Sequence, residues 1–274
     1  MRYKRPEHWL GIDWETKARE NPLLAIMTTP DMAEAPPEAF TPEQLGEFFE
    51  RGRKLFTAHV QPLMAGLGPG DVVVEYGCGA GRILKSVADA GVKAVGIDIS
   101  PTMLEHCRAL VPEAHALYAL GAAGRTAAPD GSAALVFSYS VLQHIGLLSA
   151  YVAALDEICR LLAPGGVIAL QLNCEDFKSG ADAAPGRTEN HETHSLHFKA
   201  WGAEPYKRHD QDHWSGVYIG YPRLGELLAE RGVALERWYY HNPAKPRAIW
   251  VVGRKGISSP LAGEEGAHRA AMGR

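Results

Sequence analysis

The chain has 274 residues, 46% of them hydrophobic, with a formal net charge of -4 and a pI near 6.3. This length and apolar content suffice for one α/β domain of about 200 residues with additions, and they disfavour a second full domain. The acidic balance provides no general basic surface for phosphates, which argues against tight nucleic-acid binding.

The N-terminal sequence and the cysteine spacing indicate the cellular compartment in which the protein is expected. Residues Met1 to His8 lack the apolar run of a signal peptide, and no later stretch reaches the length of a membrane span. The four cysteines are widely spaced and form no C-x-x-C pair, as is typical of a reducing compartment. We therefore expect a cytoplasmic protein without a membrane partner. The cysteines are Cys78, Cys107, Cys159 and Cys174.

Residues 1–69 differ in sequence pattern from the rest of the chain, and we interpret them as an N-terminal helical segment that caps the core. Thr41 followed by Pro42 is typical of a helix start, with a threonine N-cap and a proline in the first turn. Apolar residues then recur at roughly helical spacing, which predicts a helix that runs to the region of Pro62.

The most informative segment runs from Val72 to Arg82, where an apolar run ends in Glu75 and glycine occupies positions 77, 79 and 81. A helix-like segment then leads to a second apolar strand that ends in Asp98. Glycines let a backbone approach a ligand closely and adopt dihedral angles that a β-carbon forbids. Because an acid about 20 residues beyond such a loop can hold a ribose diol, the arrangement predicts a nucleotide pocket.

The glycine spacing separates two ligand classes. A dinucleotide fingerprint read from Gly77 and Gly79 requires glycine at position 82, where this chain has arginine. The run Glu75-Tyr76-Gly77-Cys78-Gly79-Ala80-Gly81 instead closely resembles motif I of the class I S-adenosylmethionine-dependent methyltransferases. The run Gly96-Ile97-Asp98-Ile99-Ser100 resembles motif II of the same family.

The resemblance implies a role for each part of the pocket. The glycine loop would pass the methionine part of S-adenosylmethionine, and Asp98 would bind the ribose hydroxyls. Met103 stands where the family often packs an apolar side chain against adenine, although core packing explains it equally well. Cys78 is interpreted as a small filler of the loop. The expected cofactor contacts are Glu75, Gly77, Cys78, Gly79, Gly81, Asp98, Ile99, Met103, Ala122, Ala123 and Ser138.

The rest of the core alternates strands and helices, and Ser100 before Pro101 is a good helix start. The run Leu162-Ala163-Pro164-Gly165-Gly166 resembles the family motif L-x-P-G-G. We therefore expect a Rossmann-like α/β fold over residues 70–255, with a seven-stranded, mostly parallel sheet, one antiparallel strand and helices on both faces. Predicted strands are Val72–Glu75, Ala94–Asp98, Ala133–Tyr139, Val167–Leu172, Leu235–Tyr240 and Arg247–Gly253; predicted helices are Arg82–Ala90, Pro101–Leu110, Ala150–Leu162 and Arg223–Arg231.

Two positions depart from the family pattern. Ala134 stands where an aspartate is usual, and Ala122 stands where an acid often contacts the adenine amino group. Both changes weaken recognition of adenine by side chains, so backbone groups near residues 121–123 would bind the base. They also support the alternative of a protein that binds the cofactor without transferring its methyl group.

Methyl transfer from a sulfonium is a direct displacement, so the protein must chiefly align the acceptor and exclude water. Tyr139 and His144 follow the fourth predicted strand, where the family joins cofactor to acceptor. Tyr139 is the candidate to touch the reacting centre. His144 is either an acid/base or a structural residue.

Residues 174–221 are predicted to form a lid-like insertion over the acceptor side. His194, His197 and Asp210 are candidate general bases. Histidines at intervals of three also suggest a metal, but the polar, poorly periodic segment favours a site without one. The aromatic residues fit either a flat acceptor or the lid's own core. They are Trp201, Tyr206, Trp214 and Tyr218.

The resemblance thus implies an enzyme that methylates a small molecule on oxygen or nitrogen, with aromatic acceptors among the candidates and no nucleic-acid partner. A peptide acceptor stays open. In the family a leading helix often covers the acceptor site, and such a segment could also cover a neighbour's site, which leaves a homodimer open. Residues 256–274 have the composition of a disordered tail.

Overall fold

A computed structural model describes residues 14–16, 18–19, 41–145, 148–173, 221–243 and 248–257. The longer helices of this part are α1 (Pro42–Leu55), α2 (Leu84–Asp89), α3 (Pro101–Leu110), α4 (Leu148–Leu161) and α5 (Tyr221–Ala229). The strands are β1 (Val72–Tyr76), β2 (Lys93–Asp98), β3 (Ala116–Ala119), β4 (Ala133–Ser138), β5 (Leu162–Asn173), β6 (Val233–Tyr240) and β7 (Ala248–Lys255).

The seven strands form one sheet in the order β3-β2-β1-β4-β5-β7-β6. Strands β1 to β5 pair in parallel, whereas β7 runs antiparallel to both of its neighbours. This confirms the predicted fold class. The strand order reverses between β1 and β4, and ligands of open α/β sheets bind outside the carboxyl ends of the strands at such a switch point.

The sheet separates two apolar cores, because successive residues of a buried strand point to opposite faces. Val73 of β1 belongs to the core that includes α2 and α3. Its neighbour Val74 belongs to the core that includes α4 and α5. No helix in the described part is long and apolar enough to cross a membrane.

Both predicted helix starts are confirmed. The Ser100 hydroxyl accepts a hydrogen bond from the Met103 backbone N–H at 3.1 Å. Thr41 forms a reciprocal capping box with Gln44, since each side chain accepts a hydrogen bond from the backbone N–H of the other. These caps satisfy N–H groups that have no partner within their own helices.

Several boundaries differ from the predictions, and one strand, β3, was not predicted. Helix α1 ends at Leu55 and continues as a π turn (Phe56–Val60) and a 3₁₀ turn (Gln61–Met64), whose apolar spacing resembles that of an α-helix. Strand β3 is only four residues long and half-buried, so its sequence has little periodicity. Strand β5 begins at Leu162, because residues 163–166, which were expected to end the preceding helix, form an irregularity within the sheet.

This irregularity involves Ala134, where the family usually has aspartate. Ladder pairing of β4 passes from Ala133 directly to Leu135, both toward β1 and toward β5. The unpaired Ala134 is half-buried. An extra residue of this kind bends a strand and increases its twist locally.

A buried carboxylate joins α4 to the connection between β3 and β4. Glu157 has 2% of its side chain exposed and accepts hydrogen bonds from the Thr126 backbone and hydroxyl and from Arg160. Arg160 also donates to the Ala128 carbonyl at 2.8 Å. Burial alone raises the pKa of Glu157, but the hydrogen bonds from Arg160 and Thr126 outweigh burial, so its pKa lies below the ordinary value.

We expect Glu157→Gln to lower the free energy of unfolding at pH 7 by about 2 kcal/mol, because it leaves Arg160 without its buried counter-ion. A lowered carboxylate pKa stabilises the fold at neutral pH, and this contribution is lost as the pH falls through that pKa. The difference between the two proteins should therefore shrink in acid. Urea unfolding at pH 7 and pH 4 measures it, with the exposed Glu50→Gln as control. Equal stability of the two proteins at pH 7 would contradict the prediction.

Candidate active site

The glycine loop follows β1 and turns against the end of β2. The backbone N–H groups of Gly77 and Cys78 both donate to the Ile97 carbonyl, at 2.7 and 2.9 Å. The next N–H, that of Gly79, donates to Oδ2 of Asp98 at 2.8 Å. Three loop amides are therefore bound to the end of the neighbouring strand.

Two of the loop glycines are required by the protein itself. Gly77 and Gly81 have φ values of +82° and +88°, in the left-handed region that favours glycine. A β-carbon at Gly77 would lie 2.2 Å from Val141 Cγ2, and one at Gly81 would lie 2.6 Å from Val111 Cγ2. Side chains fill the space beneath the loop, so the bare backbone packs directly on them.

Asp98 lies half-buried at the carboxyl end of β2. In addition to the Gly79 bond, its Oδ1 accepts from the Ser100 backbone N–H at 2.9 Å. Burial raises the pKa of Asp98, the backbone hydrogen bonds oppose this, and nearby Glu15 adds to the rise, so the pKa lies above the ordinary value. Each carboxylate oxygen has a second lone pair. The predicted bond to a ribose hydroxyl is therefore compatible with this geometry.

Glu75 and Cys78 lie beneath the loop and are buried. The Leu84 backbone N–H, at the start of α2, favours the ionised form of Glu75 and lowers its pKa, whereas Glu75 Oε2 has no hydrogen-bond partner among the described residues. Burial, followed by nearby Cys107, raises the pKa of Glu75 well above its usual range. A hydrogen bond with Cys107 and burial likewise raise the pKa of Cys78, which fits its interpretation as a small filler.

The other expected cofactor contacts lie around the same crevice. Ser138 is buried and donates its hydroxyl to the Tyr76 carbonyl at 2.9 Å, which joins the ends of β4 and β1. Ile99 is half-buried, directly after β2, and Ala122 and Ala123 lie exposed in a turn after β3. The side chain of Met103 is buried in an apolar cluster with residues of the N-terminal segment. Its contact with adenine stays a prediction.

Tyr139 directly follows β4, and its ring is held on two sides. It stacks on Trp250 with 5.9 Å between ring centroids, and the Arg82 Cζ atom lies 5.5 Å from its centroid. Burial raises the pKa of Tyr139 and Arg82 lowers it, leaving the pKa above its ordinary value. The hydroxyl is therefore neutral at pH 7.

Ser140, the next residue, has a φ of +59°, unusual for a residue that is not glycine. Its backbone N–H donates to the Gln171 side chain at 2.8 Å, and its hydroxyl accepts from Gln143 at 3.1 Å. Strain of this kind persists where surrounding bonds hold it, often at functional sites. No sequence pattern indicated it.

The N-terminal segment reaches the site through residues 14–16 and 18–19. The Glu15 carboxylate accepts hydrogen bonds from the hydroxyls of Ser100 and Thr102, each at 2.6 Å, at the start of α3. Burial alone raises the pKa of Glu15, but these bonds outweigh burial and lower the pKa to about 2. Trp14 contacts the buried His144 edge-on, with 5.4 Å between ring centroids. The acid/base role of His144 stays a prediction.

A column of aromatic rings and histidines lies on the other side of Tyr139 from Arg82. His59, in the π turn after α1, stacks on Trp250 with centroids 5.0 Å apart and lies 4.8 Å from His241. The Trp250 indole N–H donates to His241 Nδ1 at 3.1 Å. Burial, then nearby His241, lowers the pKa of His59 to about 4, so its imidazole is neutral at pH 7. These residues come from three distant segments, and sequence analysis missed them.

The candidate bases of the predicted insertion lie outside the described residues. These are His194, His197 and Asp210, within residues 174–220. The metal alternative and the lid are therefore untested, and so is the predicted disorder of the tail from residue 258 onward.

Part of the chain is similar to known methyltransferases. Residues 74–170 match a family model described as a methyltransferase domain. The chain is 36% identical over 105 residues to a trans-aconitate 2-methyltransferase of Methylobacterium radiotolerans, covering 37% of each chain. It is 32% identical over 124 residues to a tRNA (carboxymethyluridine(34)-5-O)-methyltransferase of Macaca fascicularis, covering 45% of this chain and 18% of the relative. The chain thus spans well under half the length of either relative.

A solved structure supports the fold. The CcbJ methyltransferase of Streptomyces caelestis superposes with a TM-score of 0.52 and 18% identity, covering 89% of this chain and 99% of that protein. At this identity the similarity concerns the arrangement of the sheet and helices.

We expect Asp98→Asn to weaken binding of S-adenosylhomocysteine about 10- to 100-fold, because the amide loses the charge that strengthens a hydrogen bond to the ribose. Isothermal titration calorimetry measures the effect. Asp89→Asn, which changes an exposed partner of Lys85 on α2, is the matched control. Unchanged affinity in Asp98→Asn would show that the ribose lies elsewhere.

We expect Glu15→Gln to loosen the N-terminal segment, because the neutral amide loses the favourable interaction between a negative charge and the N-terminus of α3. Hydrogen–deuterium exchange in residues 14–19 and in the first turn of α3 should become about tenfold faster, a loss on the order of 1.4 kcal/mol of local stability. Glu47→Gln, at an exposed pair with Arg51 on α1, should leave both regions unchanged. The same exchange in Glu15→Gln and wild type would rule out this tether.

Proposed function

We propose that this chain, which carries a class I S-adenosylmethionine-dependent methyltransferase domain, transfers the methyl group of that cofactor to a small molecule. One observation carries the proposal. The glycine loop is hydrogen-bonded to Asp98 at the sheet's switch point. An acid and a bare backbone thus meet where open α/β sheets bind ligands.

The residues present fit the cofactor. Asp98 would accept hydrogen bonds from the ribose hydroxyls, and the glycine loop would lie against the methionine part. Bound S-adenosylmethionine supplies an electrophilic methyl group on a positively charged sulfur. The acceptor's nucleophile must approach that carbon from the side opposite the sulfur, so the task of the protein is alignment and exclusion of water.

Tyr139 is the residue that we assign to the reacting centre. Its ring is fixed by Trp250 and Arg82, and its neutral hydroxyl can donate a hydrogen bond to the acceptor. The strained Ser140 holds the chain directly after it. His144, at the end of the short 3₁₀ turn beyond Ser140, is the candidate to take a proton from an acceptor hydroxyl or amine.

The acceptor class follows from charge and from the relatives. Trans-aconitate, named for one relative, is a small molecule, which supports a small acceptor methylated on oxygen or nitrogen. The relative that acts on tRNA makes RNA the competing class. A net charge of -4 opposes binding to a polyanion, so we favour the small molecule.

A two-stage experiment tests the function. Calorimetry first establishes binding of S-adenosylhomocysteine, and S-[methyl-³H]adenosylmethionine is then incubated with the protein and a metabolite extract, total tRNA or a peptide library. Label in the metabolite fraction supports the proposal. Label in tRNA or in peptides overturns the acceptor class, and binding without any transfer supports a non-catalytic cofactor-binding protein.

We expect Tyr139→Phe to lower the rate of label transfer about 10- to 100-fold, because the phenyl ring keeps the stacking but cannot orient the acceptor by a hydrogen bond. Binding of S-adenosylhomocysteine, measured by calorimetry, should stay unchanged. Tyr118→Phe on β3, away from the end of β4, is the control for loss of a tyrosine hydroxyl. Full activity of Tyr139→Phe would remove Tyr139 from the reacting centre.

A further inference from the structure

A positive charge beside the proposed reacting centre has no counter-ion in the described part of the chain. Arg82 directly follows the last glycine of the loop, and its side chain is half-buried. Its Nε atom is fully buried and has no hydrogen-bond partner among these residues. Contact with the Tyr139 ring screens one side of the guanidinium but satisfies none of its N–H donors.

Glu75 lies close enough to Arg82 to interact with it, but no hydrogen bond or ion pair joins the two side chains within the described residues. Burial also raises the pKa of Glu75 well above its usual range. On the other side Arg51 of α1 adds a second positive charge. A partly buried guanidinium in such surroundings is costly unless an anion binds to it.

Helix α1 fixes the position of Arg82. A β-carbon at Gly52 would lie 1.8 Å from the Arg82 carbonyl oxygen and 2.9 Å from its Cγ. The glycine therefore lets the helix pack directly on the loop. Packing against α1 thus holds the backbone of Arg82, and the guanidinium lies over the Tyr139 ring.

A second polar group lies at the same place. Within the described residues no hydrogen bond involves the Tyr139 hydroxyl. Within the described residues, this arginine has N–H donors without partners next to a phenol hydroxyl without one. Such a pair matches the two oxygens of a carboxylate, which arginine binds in a planar, bidentate manner.

We propose that Arg82 and Tyr139 bind a carboxylate. The proposal rests on the proposed function, and the carboxylate belongs to an acidic acceptor, because Tyr139 is assigned to the reacting centre; capture of the amino-acid end of the cofactor is the competing outcome of the test. The acceptor carboxylate, already ionised, attacks the methyl carbon while the carbon–sulfur bond breaks. The electron pair then stays on sulfur, and the products are a methyl ester and S-adenosylhomocysteine.

Two pairs of probes distinguish the sources. S-adenosylhomocysteine carries the amino-acid carboxylate, whereas 5′-methylthioadenosine lacks the amino-acid end. If Arg82 binds the cofactor instead, Arg82→Met weakens binding of S-adenosylhomocysteine at least tenfold in calorimetry and leaves binding of 5′-methylthioadenosine unchanged, and the acceptor proposal is overturned. Arg82→Lys restores part of the loss, because it keeps the charge without the planar fork.

If the acceptor supplies the group, Arg82→Met binds S-adenosylhomocysteine as wild type does. Benzoate then raises the melting temperature of the wild type saturated with S-adenosylhomocysteine, and this shift is absent in Arg82→Met. Benzamide, which has no negative charge, shifts the melting temperature of neither protein. Arg53→Met, which removes an exposed arginine of α1, is the control for loss of positive charge.

Wild-type behaviour of Arg82→Met toward both S-adenosylhomocysteine and benzoate overturns the carboxylate site. So does an equal loss of 5′-methylthioadenosine and S-adenosylhomocysteine in folded Arg82→Met and Arg82→Lys, since that pattern reports a distorted loop. Failure of the wild type to bind S-adenosylhomocysteine contradicts the proposed function instead. The benzoate measurement on the free protein then tests the carboxylate site independently.

Discussion

The hydrogen bond from the Gly79 backbone to the Asp98 carboxylate is the interaction on which the candidate site depends. It closes the glycine loop onto the neighbouring strand, while the other oxygen of Asp98 orients the backbone at Ser100, the N-cap of α3. One side chain thus sets the conformation of two segments that frame the crevice. An acid expected to bind a sugar is therefore also an anchor of the loop, so its substitution affects both roles.

Contacts between distant parts of the chain complete the crevice. Glu15 joins the N-terminal segment to the start of α3, and α1 packs on the glycine loop at Gly52. At the end of β4, Tyr139 lies between a ring of β7 and a side chain of the loop. The proposed reacting centre is thus assembled from the N-terminal segment, the loop and both ends of the domain.

The sequence predicted the features that local spacing determines. The glycine loop, Asp98, the Ser100 cap and most strands follow from short patterns, and these are confirmed as structure. Strand β3 was not located, because four half-buried residues show little periodicity. The partners of Glu15 lie 85 and 87 positions away, and His59 meets His241 only in the fold, so no local pattern indicated either contact. The roles of the site residues stay predictions until binding and transfer are measured.

Glu15 also adds negative charge to one edge of the crevice. Its carboxylate is ionised at neutral pH and lies near enough to raise the pKa of Asp98. Two neighbouring acids at one edge of a pocket favour a cation over an uncharged molecule of similar shape. A sulfonium methyl donor loses its positive charge when it reacts, so under the proposed function this edge would hold the fresh donor more strongly than the used one.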